Sequence, residues 1–204
     1  MFGSLPPVTR GLLIANVAVF IAQLATGDRL IVTFGLWPIG TAAQYDIGLV
    51  GFQPWQLVTY SFLHGGITHL FFNMFAIYMF GADLERVFGA KRFLEYYAAS
   101  VVVAGITQLL VTGLFAPSPH PTVGASGGLF GILLAFAIFF PTRTIVLLIP
   151  PIPLPARWFV VIYGAIELLL GVTGTMAGVA HFAHLGGMLG GYLMIRYWRG
   201  QRRP

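Results

Sequence analysis

Residues 123–140 read VGASGGLFGILLAFAIFF, an uncharged apolar run that begins with a serine held between glycines. Residues 124–128, GASGG, match the G-x-S-x-G pattern of the nucleophile elbow in soluble hydrolases. That elbow requires a strand before the serine, and no strand pattern precedes Ser126. Small residues at three- and four-residue spacing instead favour close helix packing in lipid. The run therefore predicts a membrane helix and leaves Ser126 open between a packing residue and a nucleophile.

The rest of the chain has the same apolar character. Of its 204 residues, 57% are hydrophobic and 8% are charged, whereas soluble domains carry about 25% charged residues. The absence of cysteine excludes disulfides and thiolate chemistry. A helix needs about 20 apolar residues to cross a bilayer. We therefore predict one domain over residues 1–204, an all-α bundle of six transmembrane helices at 11–27, 57–82, 96–115, 123–140, 158–176 and 177–195.

The distribution of positive charge predicts the orientation of this bundle. With six spans and both termini on the same side, Arg29 is the only lysine or arginine on the opposite side of the membrane. Because basic residues accumulate in cytoplasmic segments, both termini are predicted to be cytoplasmic. The basic tail RYWRGQRRP then lies near anionic headgroups, and no nucleic-acid partner is expected. The basic residues assigned to the cytoplasmic side are Arg10, Arg86, Lys91, Arg92, Arg143, Arg157, Arg196, Arg199, Arg202 and Arg203.

Two histidines near the start of the last predicted span make Ser126 a candidate nucleophile. His181 and His184 are three residues apart, so they share one side of a helix. Gly187 and Gly191 follow with the four-residue spacing that allows close helix contact. A histidine beside such a contact could take the serine proton. Because no aspartate lies in the last span to orient an imidazole, the pattern favours a Ser-His dyad over a triad.

Other polar residues occur where lipid-facing helices are expected. His69 and Asn73 are one helical turn apart and could donate hydrogen bonds to an oxyanion, together with backbone N–H groups near Ser126. His64 is rotated away from them. Hydrogen bonding between helices is the alternative function of these groups. Glu167, in the middle of the fifth span, is expected to be a protonated carboxyl bonded to a neighbouring helix.

The motifs HGGITHLFFN, GASG and AHFAHLGG, in this order on six predicted spans, resemble those of the rhomboid family of intramembrane serine proteases. The resemblance covers residues 53–191. It implies the bacterial-type six-helix core of that family. It also implies that Ser126 is the nucleophile, flanked by Gly124 and Gly127. The catalytic histidine then corresponds to His184, because Ala183, His184 and Gly187 match the family's AHxxG motif.

The resemblance assigns further residues and reveals two departures. It implies an oxyanion role for His69 and Asn73, with His64 completing their motif, and a structural role for Glu85. Where the family often has Trp-Arg in its first long loop, this chain has Gln56 after tryptophan. Where the family often has a tyrosine that packs on the catalytic imidazole, this chain has Phe130.

The predicted activity is that of a serine endopeptidase that hydrolyses peptide bonds in or near transmembrane helices. Its partners would be membrane-protein substrates and the lipid bilayer. It would need no cofactor and no metal. The predicted location is the bacterial inner membrane, with the site opening to the outer side; the oligomeric state is not indicated. Two alternatives stay open, namely a catalytically silent rhomboid-like binder or chaperone, and a haem or metal protein using His64 or His69 with His181 or His184.

Overall fold

The structure is a computed structural model that describes residues 5–41, 43–45, 48–115, 118–147, 150–175 and 179–201. Two small antiparallel hairpins pair β1 (Ala43–Tyr45) with β2 (Gly48–Val50) and β3 (Thr144–Val146) with β4 (Pro153–Pro155). All other regular structure in the described ranges is helical. In chain order the α-helices are α1 (Pro7–Thr26), α2 (Arg29–Phe34), α3 (Gln56–Thr59), α4 (Ile67–Ala76), α5 (Ala82–Phe88), α6 (Ala90–Leu114), α7 (Ser126–Phe139), α8 (Ala156–Thr173) and α9 (His181–Gly200).

Among the described residues, four helical stretches are long and apolar enough to cross a membrane. They are Pro7–Thr26, Ile67–Phe88, Ala90–Leu114 and Ala156–Thr173. The apolar helix α7 is shorter, with 14 residues. Helix α9 has 20 residues, but histidines at its start and arginines near its end make it less apolar. The predominantly helical, membrane-type fold is thus confirmed, whereas the count of six spans stays a prediction.

Helices α6, α7 and α9 pack against one another in the interior of the molecule. Residues 127–133 of α7 are all buried. The three helices approach one another closely because glycine occupies several of the contact positions. A Cβ atom on Gly131 would overlap the side chain of Ser100 in α6, and one on Gly187 in α9 would overlap the carbonyl oxygen of Gly127. The small residues that the sequence marks as packing positions therefore hold these three helices in backbone contact.

The predicted span at 57–82 differs from the observed helix. Helix α3 and a 3-10 turn at Tyr60–Phe62 occupy its first residues. Helix α4 then begins at Ile67 and continues through a π-helical turn at Ile77–Gly81 into α5. The side chain of Gln23 in α1 holds the intervening segment, because it donates to the carbonyl of His64 and accepts from its N–H, both at 3.0 Å.

The connection between the predicted spans at 57–82 and 96–115 is mostly helical. Helix α5 ends at Phe88, α6 begins at Ala90, and the chain changes direction at Gly89. Gly89 has a φ of +78°, which glycine adopts without strain. Apolar patterning could not reveal this tight junction, because charged residues cover both helix ends.

Glu85 fixes the start of α1. Its carboxylate accepts hydrogen bonds from the backbone N–H of Val8 at 2.9 Å and of Thr9 at 2.7 Å, and from the Thr9 hydroxyl at 2.7 Å. The first N–H groups of a helix lack partners within the helix, and a carboxylate at this end also interacts favourably with the helix dipole. The structural role predicted for Glu85 therefore has a direct physical basis.

Gln56 secures the long segment between α1 and α4. Its side-chain oxygen accepts from the N–H groups of Trp37 at 3.2 Å and Gln53 at 3.1 Å. Its side-chain nitrogen donates to the carbonyls of Thr33 at 3.3 Å and Gly51 at 3.2 Å. The glutamine thus ties four points of the loop together at the position where the resemblance led us to expect an arginine.

Candidate active site

Ser126 is the first residue of α7 and lies at the boundary between a loop and the buried helix. The N–H of Gly124 donates to the carbonyl of Tyr60 at 3.0 Å, which holds the loop before the serine. Gly124 has a φ of +130°, a conformation that L side chains rarely adopt. The glycine therefore permits the turn that places Ser126 at the start of α7.

The hydroxyl of Ser126 meets an imidazole of α9. His184 Nε2 lies 2.8 Å from Ser126 Oγ. The approach depends on the glycine contact one turn further along each helix, where Gly187 lies against the carbonyl oxygen of Gly127. Serine and histidine side chains at this distance have the geometry of an activated nucleophile and its base. The structure thus brings together the two residues that the sequence singled out.

Three aromatic side chains continue from the imidazole toward α8. The ring of Phe130 stacks on His184 with centroids 4.2 Å apart and an interplanar angle of 5°. Tyr163 of α8 stacks on Phe130 with ring centroids 5.5 Å apart, and Phe159 of α8 stacks on Tyr163 with centroids 5.4 Å apart. The ring of Phe130 therefore packs on the histidine, as the resemblance implies.

The two predicted oxyanion donors occupy different positions relative to Ser126. A Cβ atom at Gly124 would lie 2.9 Å from His69 Nε2 and 3.5 Å from Ser126 Oγ, so the imidazole and the hydroxyl border the same small space. The N–H of Gly65 points to His69 Nδ1 at 3.4 Å. Asn73 is buried one turn further along α4, and its side-chain N–H donates to the carbonyl of His69 at 3.1 Å.

His64 lies behind His69 and is 1% exposed. The two imidazoles pack edge to face, with ring centroids 5.0 Å apart. Neither ring nitrogen of His64 has a hydrogen-bond partner among the described residues. The side chain therefore packs against His69 and has almost no contact with solvent.

Sequence reasoning missed the position of Glu167. Its Oε2 lies 2.6 Å from His181 Nδ1 and 2.9 Å from His184 Nδ1. The expected bond to a neighbouring helix is confirmed, whereas the protonation of the carboxyl stays a prediction. Helix α9 has no acidic residue that could orient His184, and the acid comes from α8. The available signal was that α8 and α9 are consecutive helices and that Glu167 is the acidic residue of α8.

The same three groups have the composition of a metal site. Glu167, His181 and His184 each offer one ligand atom, and these atoms lie within 4.8 Å of one another. Two imidazoles and a carboxylate are common zinc ligands. The sequence suggested different pairs for a metal or haem, each including His64 or His69. The structure therefore changes the ligand set on which that alternative would depend.

Comparison with known proteins supports the resemblance. The family model described as Rhomboid domain matches residues 51–201. YdcA from Bacillus subtilis (strain 168) is 39% identical over 102 residues, which are 48% of this chain and 49% of YdcA. Rhomboid protease GluP from the same organism is 33% identical over 169 residues, which are 82% of this chain and 29% of GluP.

A third relative is similar over almost the whole chain. Rhomboid protease GlpG from Yersinia pestis (strain Pestoides F) is 27% identical over 199 residues, covering 94% of this chain and 62% of GlpG. The chain thus spans about half the length of YdcA and a smaller share of GluP. Since the family model covers most of its residues, the chain belongs to the rhomboid family.

Proposed function

We propose that this chain is an intramembrane serine endopeptidase that cleaves membrane proteins in or near their transmembrane helices. The observation that carries the proposal is the 2.8 Å contact between Ser126 Oγ and His184 Nε2 at the partly buried junction of α7 and α9. A packing role for Ser126 would not require an imidazole at this distance. Similarity to GluP and GlpG, both named rhomboid proteases, supports the same activity.

In the proposed reaction Ser126 attacks the carbonyl carbon of the scissile peptide bond. His184 Nε2 accepts the hydroxyl proton as the Oγ–C bond forms. The tetrahedral intermediate collapses when the C–N bond breaks and Nε2 returns the proton to the leaving amine. A water molecule then attacks the acyl-enzyme by the same route, with His184 again acting as the base.

The oxyanion is proposed to be stabilised by His69, Asn73 and the backbone N–H of Ser126. If His69 Nδ1 accepts from the Gly65 N–H, a neutral imidazole carries its proton on Nε2, which borders the space beside Ser126. Asn73 has a second side-chain N–H besides the one bonded to the His69 carbonyl. The Ser126 N–H belongs to the first turn of α7 and has no partner within that helix.

For the membrane arrangement we propose six spans with both termini in the cytoplasm of a bacterial cell. Ser126 and His181 begin α7 and α9, whereas Arg196 and Arg199 lie near the other end of α9. Basic residues mark the cytoplasmic side, so the site would lie near the outer side and take its water from there. Helix α8 exposes the large apolar side chains of residues such as Leu169 and Val172, a surface against which a substrate helix can pack.

The test is cleavage of a panel of single-span substrates in liposomes, combined with labelling by a fluorophosphonate probe. We expect the wild-type chain to cleave at least one substrate and to be labelled, and Ser126→Ala and His184→Ala to do neither. Ser118→Ala removes a hydroxyl from the loop before α7 and is the matched control, with wild-type activity. Equal labelling of Ser126→Ala would contradict the proposal. Binding of substrates without labelling or cleavage would identify a silent membrane-protein binder instead.

A further inference from the structure

Glu167 is an acidic residue within the apolar part of α8. It lies in the middle of α8, is 6% exposed and faces α9. Burying an acidic group is costly unless it finds hydrogen-bond donors or an opposite charge. Here two imidazoles of α9 converge on the same oxygen, Oε2, at 2.6 and 2.9 Å. The arrangement is therefore built around this carboxyl group.

The contact between α8 and α9 is close enough to hold the group in place. A Cβ atom on Gly171, one turn after Glu167, would lie 3.0 Å from the ring of Phe182 and 3.2 Å from the Cβ of His181. His181 Nε2 also lies 3.3 Å from the carbonyl oxygen of Thr175. His181 thus lies between the carboxylate and the end of α8, and restricts the positions available to Glu167.

The two ring nitrogens of His184 have different neighbours. His184 Nε2 faces Ser126, while His184 Nδ1 is buried and has no hydrogen-bond partner among the described residues. Glu167 Oε2 lies 2.9 Å from this nitrogen. Hydrogen bonds in unliganded active sites are often poorly aligned and tighten when substrate binds. A small rotation of the carboxylate would complete the bond.

We propose that Glu167 is a positioning residue for His184, which makes the site a Ser126–His184–Glu167 triad. This inference rests on the proposed function. The base can accept the serine proton at Nε2 only when its own proton is on Nδ1, and a carboxylate at Nδ1 selects that tautomer. During attack the Ser126 proton moves to Nε2, the Nδ1 proton stays on His184 and faces Glu167 Oε2, and the imidazolium charge lies beside the carboxylate. No further reactant is required, and the proton leaves with the amine.

Phe130 and Glu167 then restrain the imidazole in complementary ways. The stacked ring fixes the plane of His184, with 5° between the two ring planes. The carboxylate fixes the rotation within that plane, because it attracts one ring nitrogen. Substrate recognition needs neither contact, so loss of Glu167 should lower kcat and leave KM nearly unchanged.

The experiment compares Glu167→Gln, Glu167→Asp and wild type in liposomes, with Ser126→Ala as the inactive reference. Glutamine has nearly the same shape as glutamate, so we expect the variant to fold, with kcat about 100-fold lower and KM within about threefold of wild type. The rate of fluorophosphonate labelling should fall in parallel, because it reports the reactivity of Ser126 directly. Glu95→Gln, which removes the same charge from α6, should leave both rates unchanged.

The aspartate variant separates positioning from packing. A purely structural role would favour glutamine, which fills the space, whereas a positioning role favours aspartate, which keeps the carboxylate. We therefore expect kcat to rank as wild type, then Glu167→Asp, then Glu167→Gln. A Glu167→Gln variant with wild-type kcat would overturn the inference, provided that Ser126→Ala is inactive. Equal activity of Ser126→Ala and wild type would instead overturn the proposed function.

A chelator and added zinc test whether Glu167, His181 and His184 bind a metal ion instead. If the carboxylate positions the base, a chelator should leave wild-type kcat unchanged, and excess zinc should inhibit because it competes for His184 Nδ1. Loss of activity on dialysis against a chelator, with recovery on addition of Zn²⁺, would overturn the inference, since Glu167 would then serve a metal.

Discussion

Two buried glutamates, Glu85 and Glu167, differ in the groups that satisfy them. Glu85 is 3% exposed and accepts hydrogen bonds from Val8 and Thr9, at the first turn of α1. Glu167 is 6% exposed and faces two imidazoles of α9. Burial is therefore nearly the same for the two carboxyl groups, whereas the chemistry of their donors differs.

The donors determine what each glutamate can do. Backbone N–H groups and a threonine hydroxyl keep their protons, so these donors bind the Glu85 carboxylate and contribute to stability alone. Imidazoles gain and lose protons near neutral pH, so a carboxylate between them can influence where a proton resides. A buried carboxylate thus indicates function only when its partners can titrate. Variants of the two regions should consequently affect different measurements.

The largest effect is expected from Glu85→Ala. The substitution leaves two N–H groups and a hydroxyl without their acceptor, and each buried unsatisfied group costs about 1–3 kcal/mol. We expect the free energy of unfolding in mixed micelles to fall by about 3 kcal/mol. The kcat of the folded fraction should stay within about twofold of wild type. A 100-fold fall in kcat with unchanged stability would show that Glu85 takes part in catalysis and would remove the distinction between the two glutamates.

The next effect concerns the contact that brings α9 to α7. A methyl group in Gly187→Ala would overlap the carbonyl oxygen of Gly127, so the helices must separate near the Ser126–His184 contact. Overpacking typically costs about 1–3 kcal/mol, and we expect about 2 kcal/mol of stability and at least tenfold in kcat to be lost together. Gly200→Ala is the matched control, because nothing lies within 4 Å of a Cβ there. Unchanged kcat in Gly187→Ala would mean that close packing does not set the catalytic distance.

Much of the fold was predictable because apolar length and charge placement are local properties of the sequence. Helices occur in all six predicted regions, and four of the described helical stretches satisfy the requirement for crossing a membrane. The helix boundaries were harder to predict. At Gly89 one residue with positive φ joins two helices, and at 63–66 an extended segment delays the start of α4. Both features depend on backbone conformation and on contacts with α1, which composition does not encode.

The candidate site was predictable where one motif contained the relevant residues. Ser126 and His184 lie in short motifs, and the glycines beside them indicated that their helices could approach each other. Glu167 was missed as a partner because its role depends on how α8 packs against α9. The hydrogen bonds of Gln56 were missed for a related reason, since their four partners lie in α2 and between α2 and α3, and two of them are 19 and 23 residues before it in the chain. Long-range contacts of single polar side chains leave no spacing pattern.

A smaller effect on kcat is expected from His181→Phe. Phenylalanine keeps an aromatic ring but cannot donate to Glu167, so the carboxylate loses its 2.6 Å partner and gains freedom to move away from His184. We expect kcat to fall about tenfold, which corresponds to 1.4 kcal/mol, with KM unchanged. His184→Ala, by contrast, should abolish cleavage. Full activity of His184→Ala together with loss of activity in His181→Phe would show that His181 is the base.

The smallest effect is expected from Phe130→Leu, which tests the restraint on the face of the imidazole. An aromatic stacking contact contributes about 0.5–1.5 kcal/mol beyond the area that it buries, so kcat should fall about fivefold. Phe130→Tyr keeps the ring and should stay within about twofold of wild type in kcat. Because Phe130 contacts His184 but no donor of Glu85, neither change should alter the start of α1. If Phe130→Leu lowers kcat more than Glu167→Gln does, the aromatic ring determines the orientation of His184, and the carboxylate at its edge is secondary.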